Sequence, residues 1–513
     1  MLLLLHKTIF FFLSSFVFSE STDQLINKKF QNTTGWFVDA INAEIPIASS
    51  VGIPWVLIIL TVGASYFTFY FKGINFRSFV TSIKIVKGDY DHLEASETTV
   101  TNGHNESKGE VSHFQALTTA LSATVGLGNI GGVAIALSIG GAGATFWMIL
   151  IGLLGMASKF VECTLGVAYR EVNKDGVVFG GPMYYLSKGL KEKGLAKLGK
   201  LLAVLFAIMC VGGSFGGGNM FQANQAFKLF ENVSGGTESF FYQRGWLFGL
   251  VMAVLVGIVI IGGIKKIAKV TDKIVPAMVV TYILAILIVI GANYTLIPHA
   301  FQQIFEGAFN PSGITGGIVG VLVQGFRRGA FSNEAGIGSA AIAHSAVKTS
   351  FPASEGLVAL LEPFIDTVLV CTMTALALII TGQLTVGAMV SPEQGVLLTS
   401  QALESTISWF PYVLTVAVIL FAFSSMISWS YYGYQAWTYL FGKHFLTGYV
   451  YKFLFCGFVV IGAAASLDAV IGFSDAMVFA MMVPNMIGLF LLAPKVAKEL
   501  KTYYQAIQAS RFP

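Results

Sequence analysis

The sequence predicts an all-α polytopic membrane protein of about eleven transmembrane helices, two of them discontinuous. Three observations predict it: the scarcity of charge, the number of long apolar runs, and the places where glycine and polar residues interrupt those runs. Of 513 residues, 55% are hydrophobic and 11% charged, whereas a soluble chain carries about 25% charged residues. A helix crosses the hydrocarbon core in about 20 apolar residues, at about 1.5 Å of rise each. Eleven stretches meet that need: 53–71, 114–138, 143–168, 202–229, 246–263, 274–292, 315–345, 359–381, 407–440, 450–468 and 475–494.

Ahead of them, Leu2 to Ser19 is apolar and is followed by the polar run Glu20 to Gln31. It reads as a signal peptide or a signal anchor, with 20–52 an extracytoplasmic segment before the first span. Orientation follows from the positive residues, which collect on the cytoplasmic side of a membrane. The loop after the first span holds Lys72, Arg77, Lys84, Lys87 and Lys108, and the loop after the third holds Arg170, Lys174, Lys188, Lys191 and further lysines. Loops 293–314, 382–406 and 469–474 carry no Lys or Arg, and 230–245 carries only Arg244. The first span therefore starts outside, and the tail 495–513 lies in the cytoplasm.

The second span contains Ser122-Ala-Thr-Val-Gly-Leu-Gly-Asn-Ile-Gly-Gly132, and the seventh contains Arg327-Arg-Gly-Ala-Phe-Ser-Asn-Glu-Ala-Gly-Ile-Gly-Ser339. Glycine costs about 1 kcal/mol against alanine inside a helix. Backbone released from helical bonding in lipid needs protein, water or ligand as partner. The two interruptions stand five spans apart, and five is odd, so a repeat of five helices reverses its orientation. Residues 114–292 and 315–494 are accordingly expected to form a 5+5 inverted repeat, with 53–71 outside it. Discontinuous helices at matching places in two halves point to a central binding site. Elsewhere the glycines read as helix-packing positions.

Other function classes find no support. Cys163, Cys210, Cys371 and Cys456 all fall in apolar runs without Cys-x-x-Cys spacing, which leaves neither a metal site nor a disulfide framework. No short filter motif repeats, as a channel requires. No His-Glu-x-x-His or Gly-x-Ser-x-Gly is present; His344 stands isolated and His113 lies at a helix start, so an enzyme is not expected. The net charge of +4 is small and gives no nucleic-acid signal, and no obligate protein partner is evident. The Asn-x-Ser/Thr matches at Asn32 and Asn105 are short enough to arise by chance.

Seven segments in order, Gly126-Leu-Gly-Asn-Ile130, Gly140-Gly-Ala-Gly-Ala-Thr-Phe-Trp-Met148, Lys159-Phe-Val-Glu-Cys163, Gly180-Gly-Pro-Met-Tyr-Tyr185, Gly218-Asn-Met220, Arg328-Gly-Ala-Phe-Ser-Asn-Glu-Ala-Gly336 and Trp429-Ser-Tyr-Tyr-Gly433, resemble the alanine or glycine:cation symporter family. Coverage runs from about Trp55 to Leu500. The resemblance implies one helix added before a leucine-transporter-like (APC-type) core, and sodium or sometimes proton symport of small neutral amino acids across a bacterial inner membrane. Ile149 stands where the family usually has a second Trp, and Ala340-Ala-Ile-Ala-His344 departs from the Pro-bearing run of relatives.

A zwitterion in a low-dielectric site needs a partner for each charge. The amides of Leu127, Gly128 and Asn129, at the start of a half-helix, suit the carboxylate, with Gly126 and Gly128 leaving room and Thr124 beside them. Phe331, Ser332 and Asn333 would face the ammonium group. Gln222 resembles a substrate-contacting glutamine of the family, and Trp429 would cap a pocket kept small by Phe331. The leucine-transporter-like alignment sets the carbonyls of Ser122 and Val125 opposite the hydroxyls of Ser424 and Ser425 as sodium ligands; absent the motif, those serines bond back to their own helix. Intramembrane charges are expensive: Lys159 and Glu162 are expected to pair one turn apart, and Glu362 and Asp366 to pair with Arg327 or Arg328, or to form part of an inner gate. Were protons the driving ion, and another small neutral amino acid the cargo, Glu334, Glu362 and Asp366 are the groups that would titrate.

Overall fold

The computed structural model describes residues 22–48, 51–96, 109–173, 176–310, 317–383 and 395–511; the stretch 1–19 and Asn105 lie outside them. In chain order, the helices used below are α1 (Thr22–Ile41), α2 (Trp55–Tyr70), α3 (His113–Thr124), α4 (Gly128–Gly140), α5 (Ala144–Ala168), α6 (Pro182–Glu192), α7 (Ala196–Val233), α8 (Gly245–Ile260), α9 (Gly263–Ala292), α10 (Ile297–Phe309), α11 (Gly317–Asn333), α12 (Ala340–His344), α13 (Pro352–Ile380), α14 (Gly395–Glu404), α15 (Phe410–Phe441), α16 (Phe445–Ala464) and α17 (Leu467–Arg511). Two small antiparallel hairpins, Glu44–Ala48 with Val51–Pro54 and Glu171–Val172 with Val178–Phe179, complete the described secondary structure beyond short helical turns.

Helix covers most of the described residues in each of the eleven expected stretches, apart from the two breaks. Among the described residues, seven helices are long and apolar enough to cross a membrane unaided, and the bent pair α3 and α4 makes an eighth. The apolar helices α2 and α8 have 16 residues each, and α11 stops at Asn333 before the break that separates it from α12. Several ends differ from the sequence reading. The sixth span begins at Gly263 rather than near 274, and α17 runs through the expected tail to Arg511, because hydropathy marks contact with lipid and not the reach of helical hydrogen bonding.

Local sequence explains the irregular places. α3 begins with a capping box, in which Ser112 Oγ accepts from Gln115 N at 3.2 Å and Gln115 Oε1 accepts from Ser112 N at 3.1 Å. It bends by 50° into α4 across Val125 to Leu127. The seventh span breaks where Glu334, Gly336 and Gly338 all take positive φ, at 54°, 81° and 97°, a region that interrupts a right-handed helix. In α13, Pro363 brings no N–H to the ladder, and the following turns Phe364–Cys371 widen to a π-helix, a form that concentrates at functional sites. Further π turns lie at Gly128–Gly132 and Gly216–Met220.

Packing is close where side chains are small. A Cβ on Gly325 would lie 2.5 Å from the Ala144 carbonyl oxygen, and one on Gly329 would lie 2.5 Å from Ile151, so this Gly-x-x-x-Gly face seats α11 on α5. The short helix α10 buries Ala300, Ile304 and Ala308, spaced one turn apart, and α14 packs on the π turn that opens α4.

Candidate functional site

The two breaks meet. Each exposes main-chain groups that the rest of the fold satisfies, and this accounting locates the site. In the first break, Gly126 N–H donates to Asn129 Oδ1 at 2.8 Å, the Ser122 carbonyl accepts from Ser425 Oγ at 2.9 Å, and the Ile130 carbonyl accepts from Thr399 Oγ1 of α14 at 3.0 Å. In the second, Ala335 N–H donates to Asn333 Oδ1 at 3.0 Å, and Asn485 Nδ2 donates to the Gly336 carbonyl at 2.9 Å.

Asp366, on the π segment of α13, ties the breaks together. Its carboxylate accepts from Asn129 Nδ2 at 2.6 Å, from Ser332 Oγ at 2.7 Å and from Thr367 Oγ1 at 2.7 Å. Thr367 Oγ1 in turn accepts from Asn333 Nδ2 at 3.0 Å. Asn129 thereby grips Gly126 with one end of its amide and Asp366 with the other.

A small cavity opens between the breaks. Thr124, Gly128, Gln222, Phe331, Ser332 and Trp429 line it, together with Ala123, Gly217, Glu334 and Val478. Six of the ten residues expected at a substrate are therefore on its wall. Gly126 sits just behind: a Cβ there would lie 2.8 Å from Ser425 Oγ and 3.4 Å from Gln222 Oε1. Leu127 is fully buried away from the wall, while Asn129 and Asn333 support it through the bonds above. Gln222 Nε2 donates to the Gly217 carbonyl at 3.1 Å, leaving Oε1 buried without a hydrogen-bond partner. Trp429 is 1% exposed and packs so tightly on α7 that a Cβ on Gly218 would fall 2.1 Å from its Cγ.

Several expectations need correction. The Asn129 N–H, expected to be free for a carboxylate, donates to the Gly126 carbonyl at 3.2 Å. Ser424 Oγ donates to its own helix at Phe421 O, 3.0 Å away, rather than facing Ser122; the back-bonding common to serine in membrane helices wins here. Its carbonyl instead accepts from Ser122 Oγ at 3.0 Å, and Ser428 Oγ, unforeseen, donates to Ser122 Oγ at 3.0 Å. Lys159 does pair with its helical neighbour Glu162, at 3.8 Å, but it also pairs, more closely, with Glu362 at 3.0 Å. Arg327 and Arg328 both donate to Asp475, at 2.9 and 2.7 Å, and not to Glu362 or Asp366. His344 is not isolated: its Nδ1 lies 2.6 Å from Glu355 and its Nε2 3.6 Å from Glu362.

Comparison of the sequence with known families and proteins points to one family. The profile of the sodium:alanine symporter family matches residues 38–513. The sodium/alanine symporter AgcS of Methanococcus maripaludis is 42% identical over 77% of this chain and 85% of its own. The probable sodium/glutamine symporter GlnT of Bacillus subtilis is 33% identical over 89% of each chain. The crystal structure of MhsT in complex with L-phenylalanine is similar with a TM-score of 0.49 and 14% identity, over 76% of this chain and 99% of that one.

Proposed function

Because this chain belongs to the sodium:alanine symporter family, we propose that it imports alanine or glycine together with sodium, by alternating access, across a bacterial inner membrane. It is a multi-pass membrane protein and a symporter of amino acids, not an enzyme. The observation that carries the finer reading is the meeting of two broken helices around a cavity with distinct polar sides.

On one side, the Ser122 carbonyl already has a hydroxyl, Ser425 Oγ, at 2.9 Å. A sodium ion is a hard cation that prefers oxygen ligands, and the Ser122 and Val125 carbonyls with Ser425 Oγ form its cage, while Ser424 contributes by fixing Ser122. On the other side, the α4 N-terminus offers partial positive charge to the carboxylate through Leu127 and Gly128. Gln222 Oε1, buried without a partner, and Glu334, a residue of the same wall, receive the ammonium. Phe331 and Trp429 leave little volume for a side chain, which favours alanine and glycine over larger cargo. Residues 114–292 and 315–494 form the inverted pair that rocks about this site, with the C-terminus in the cytoplasm and the first span's start outside.

The test is uptake of twenty radiolabelled amino acids into proteoliposomes, with an inward sodium gradient or with potassium in its place. Alanine or glycine should accumulate only with sodium. Equal accumulation in potassium removes the coupling, accumulation driven by a proton gradient alone replaces sodium by protons, and preference for glutamine or another large side chain removes the size argument.

A further inference from the structure

We infer that Glu355 is the positioning residue that latches the inner halves of both broken helices, and that its release opens the cavity to the cytoplasm. The helix α13 carries Glu355, Glu362 and Asp366 at intervals of seven and four, which places them on one helical face. Asp366 joins the breaks at the centre, as described above. Glu355 does the same at the inner end. One of its carboxylate oxygens meets Nδ1 of His113, the first residue of α3, and the other meets Nδ1 of His344, the last residue of α12, at 2.6 Å.

The backbone repeats the connection. Val111 and Val347 form a parallel bridge, Glu110 N–H donates to the Ala346 carbonyl at 2.7 Å, and Lys348 N–H donates to the Val111 carbonyl at 2.8 Å. The residues entering α3 are thus zipped to those leaving α12. Beneath the zip, Glu355, His344, Glu362, Lys159 and Glu162 are all fully buried. Their contacts run from His344 to Glu362, then to Lys159 and Glu162. Asn485 closes the line, donating to Glu162 Oε2 at 3.3 Å and to the Gly336 carbonyl at 2.9 Å. Opening toward the cytoplasm requires the two inner halves to part, and the Glu355 side chain is bonded to both. A carboxylate shared by two imidazoles suits a latch, since one bond can break while the other keeps the charge paired.

The inference rests on the carrier reading only for which face is the cytoplasm. Its test is side-resolved labelling of a cysteine on the cavity wall, Ala123→Cys, in a Cys456→Ser background, because Cys163, Cys210 and Cys371 are buried. An impermeant maleimide is applied to inside-out or right-side-out vesicles, and rates are scaled to the folded fraction. His113→Ala removes the tie from Glu355 to α3, at a partly exposed position. It should raise labelling from the cytoplasmic face by about tenfold, the shift expected when one charge-assisted bond leaves a two-state balance. Glu355→Ala should raise it further, and His113→Gln, which still donates to Glu355, should return it toward the parent rate. A structural role alone would lower the folded fraction and leave the scaled rate unchanged; that result in His113→Ala, or a rise confined to the outer face, overturns the latch. Labelling needs neither sodium nor amino acid, so failed uptake of alanine and glycine refutes the cargo reading separately.

Discussion

Lys159→Met is the perturbation whose size the structure sets most clearly. The ammonium is fully buried between two fully buried carboxylates, Glu362 at 3.0 Å and Glu162 at 3.8 Å. At an effective dielectric of about 20, these distances correspond to gross attractions of roughly 5 and 4 kcal/mol before desolvation is subtracted. Methionine matches the stem but removes the charge, and the two carboxylates then lose the cation between them. Breaking a buried pair by deleting one partner costs about 3–5 kcal/mol, a large share of the roughly 5–15 kcal/mol that holds a domain folded. The assay is thermal unfolding of the purified protein in detergent, followed by size exclusion. Lys159→Met should melt well below the parent, and Lys159→Met/Glu362→Gln should recover a clear part of the loss, since one uncompensated charge goes with the second change. A single variant that melts with the parent, or a double variant whose losses simply add, refutes the reasoning that this cluster is held by mutual charge compensation.

The other predictions concern the cavity and its outer rim. Gly126→Ala places a methyl 2.8 Å from Ser425 Oγ and 3.4 Å from Gln222 Oε1; overpacking of this kind costs about 1–3 kcal/mol, and calorimetry should show weaker binding of both sodium and alanine. Ser425→Ala removes the hydroxyl beside the Ser122 carbonyl and should weaken sodium binding without lowering expression. Ser424→Ala should leave sodium binding nearly unchanged, because that hydroxyl bonds Phe421 O; equal losses in the two variants contradict the geometry. Asp475→Asn takes the shared carboxylate from Arg327 and Arg328. Arg328 is buried, so melting should fall by the equivalent of about 3–5 kcal/mol, whereas Arg327→Gln, at a half-exposed position, should cost less.

What could be read in advance, and what could not, follows from the range of each interaction. The breaks at Gly126 and Glu334 were legible because glycine, asparagine and glutamate in an apolar run carry a local cost that something must repay. The long spans were legible for the same reason. Helices α10 and α14 were not, since each is short, lies between the long apolar runs and takes its stability from packing: α14 is tied down by Thr399 to Ile130 and by Val396 N–H to Gln225 Oε1. Only half of the Lys159 pairing is legible, because helical spacing reveals Glu162 three residues on but gives no hint of Glu362, 203 residues away. Asp475 as partner of Arg328 and Glu355 as partner of His113 are equally remote in sequence. Ser424 and Ser425 look alike as a motif, and only the rotation of α15 decides which hydroxyl faces the break.

A cation and a zwitterion in neighbouring halves of a single cavity must alter each other's affinity by an equal factor. Calorimetric titration of the purified carrier measures this directly: alanine in sodium and in potassium, then sodium with and without alanine. The predicted result is tighter alanine binding in sodium, matched by an equal tightening of sodium in alanine. Alanine affinity identical in the two salts would contradict the shared site.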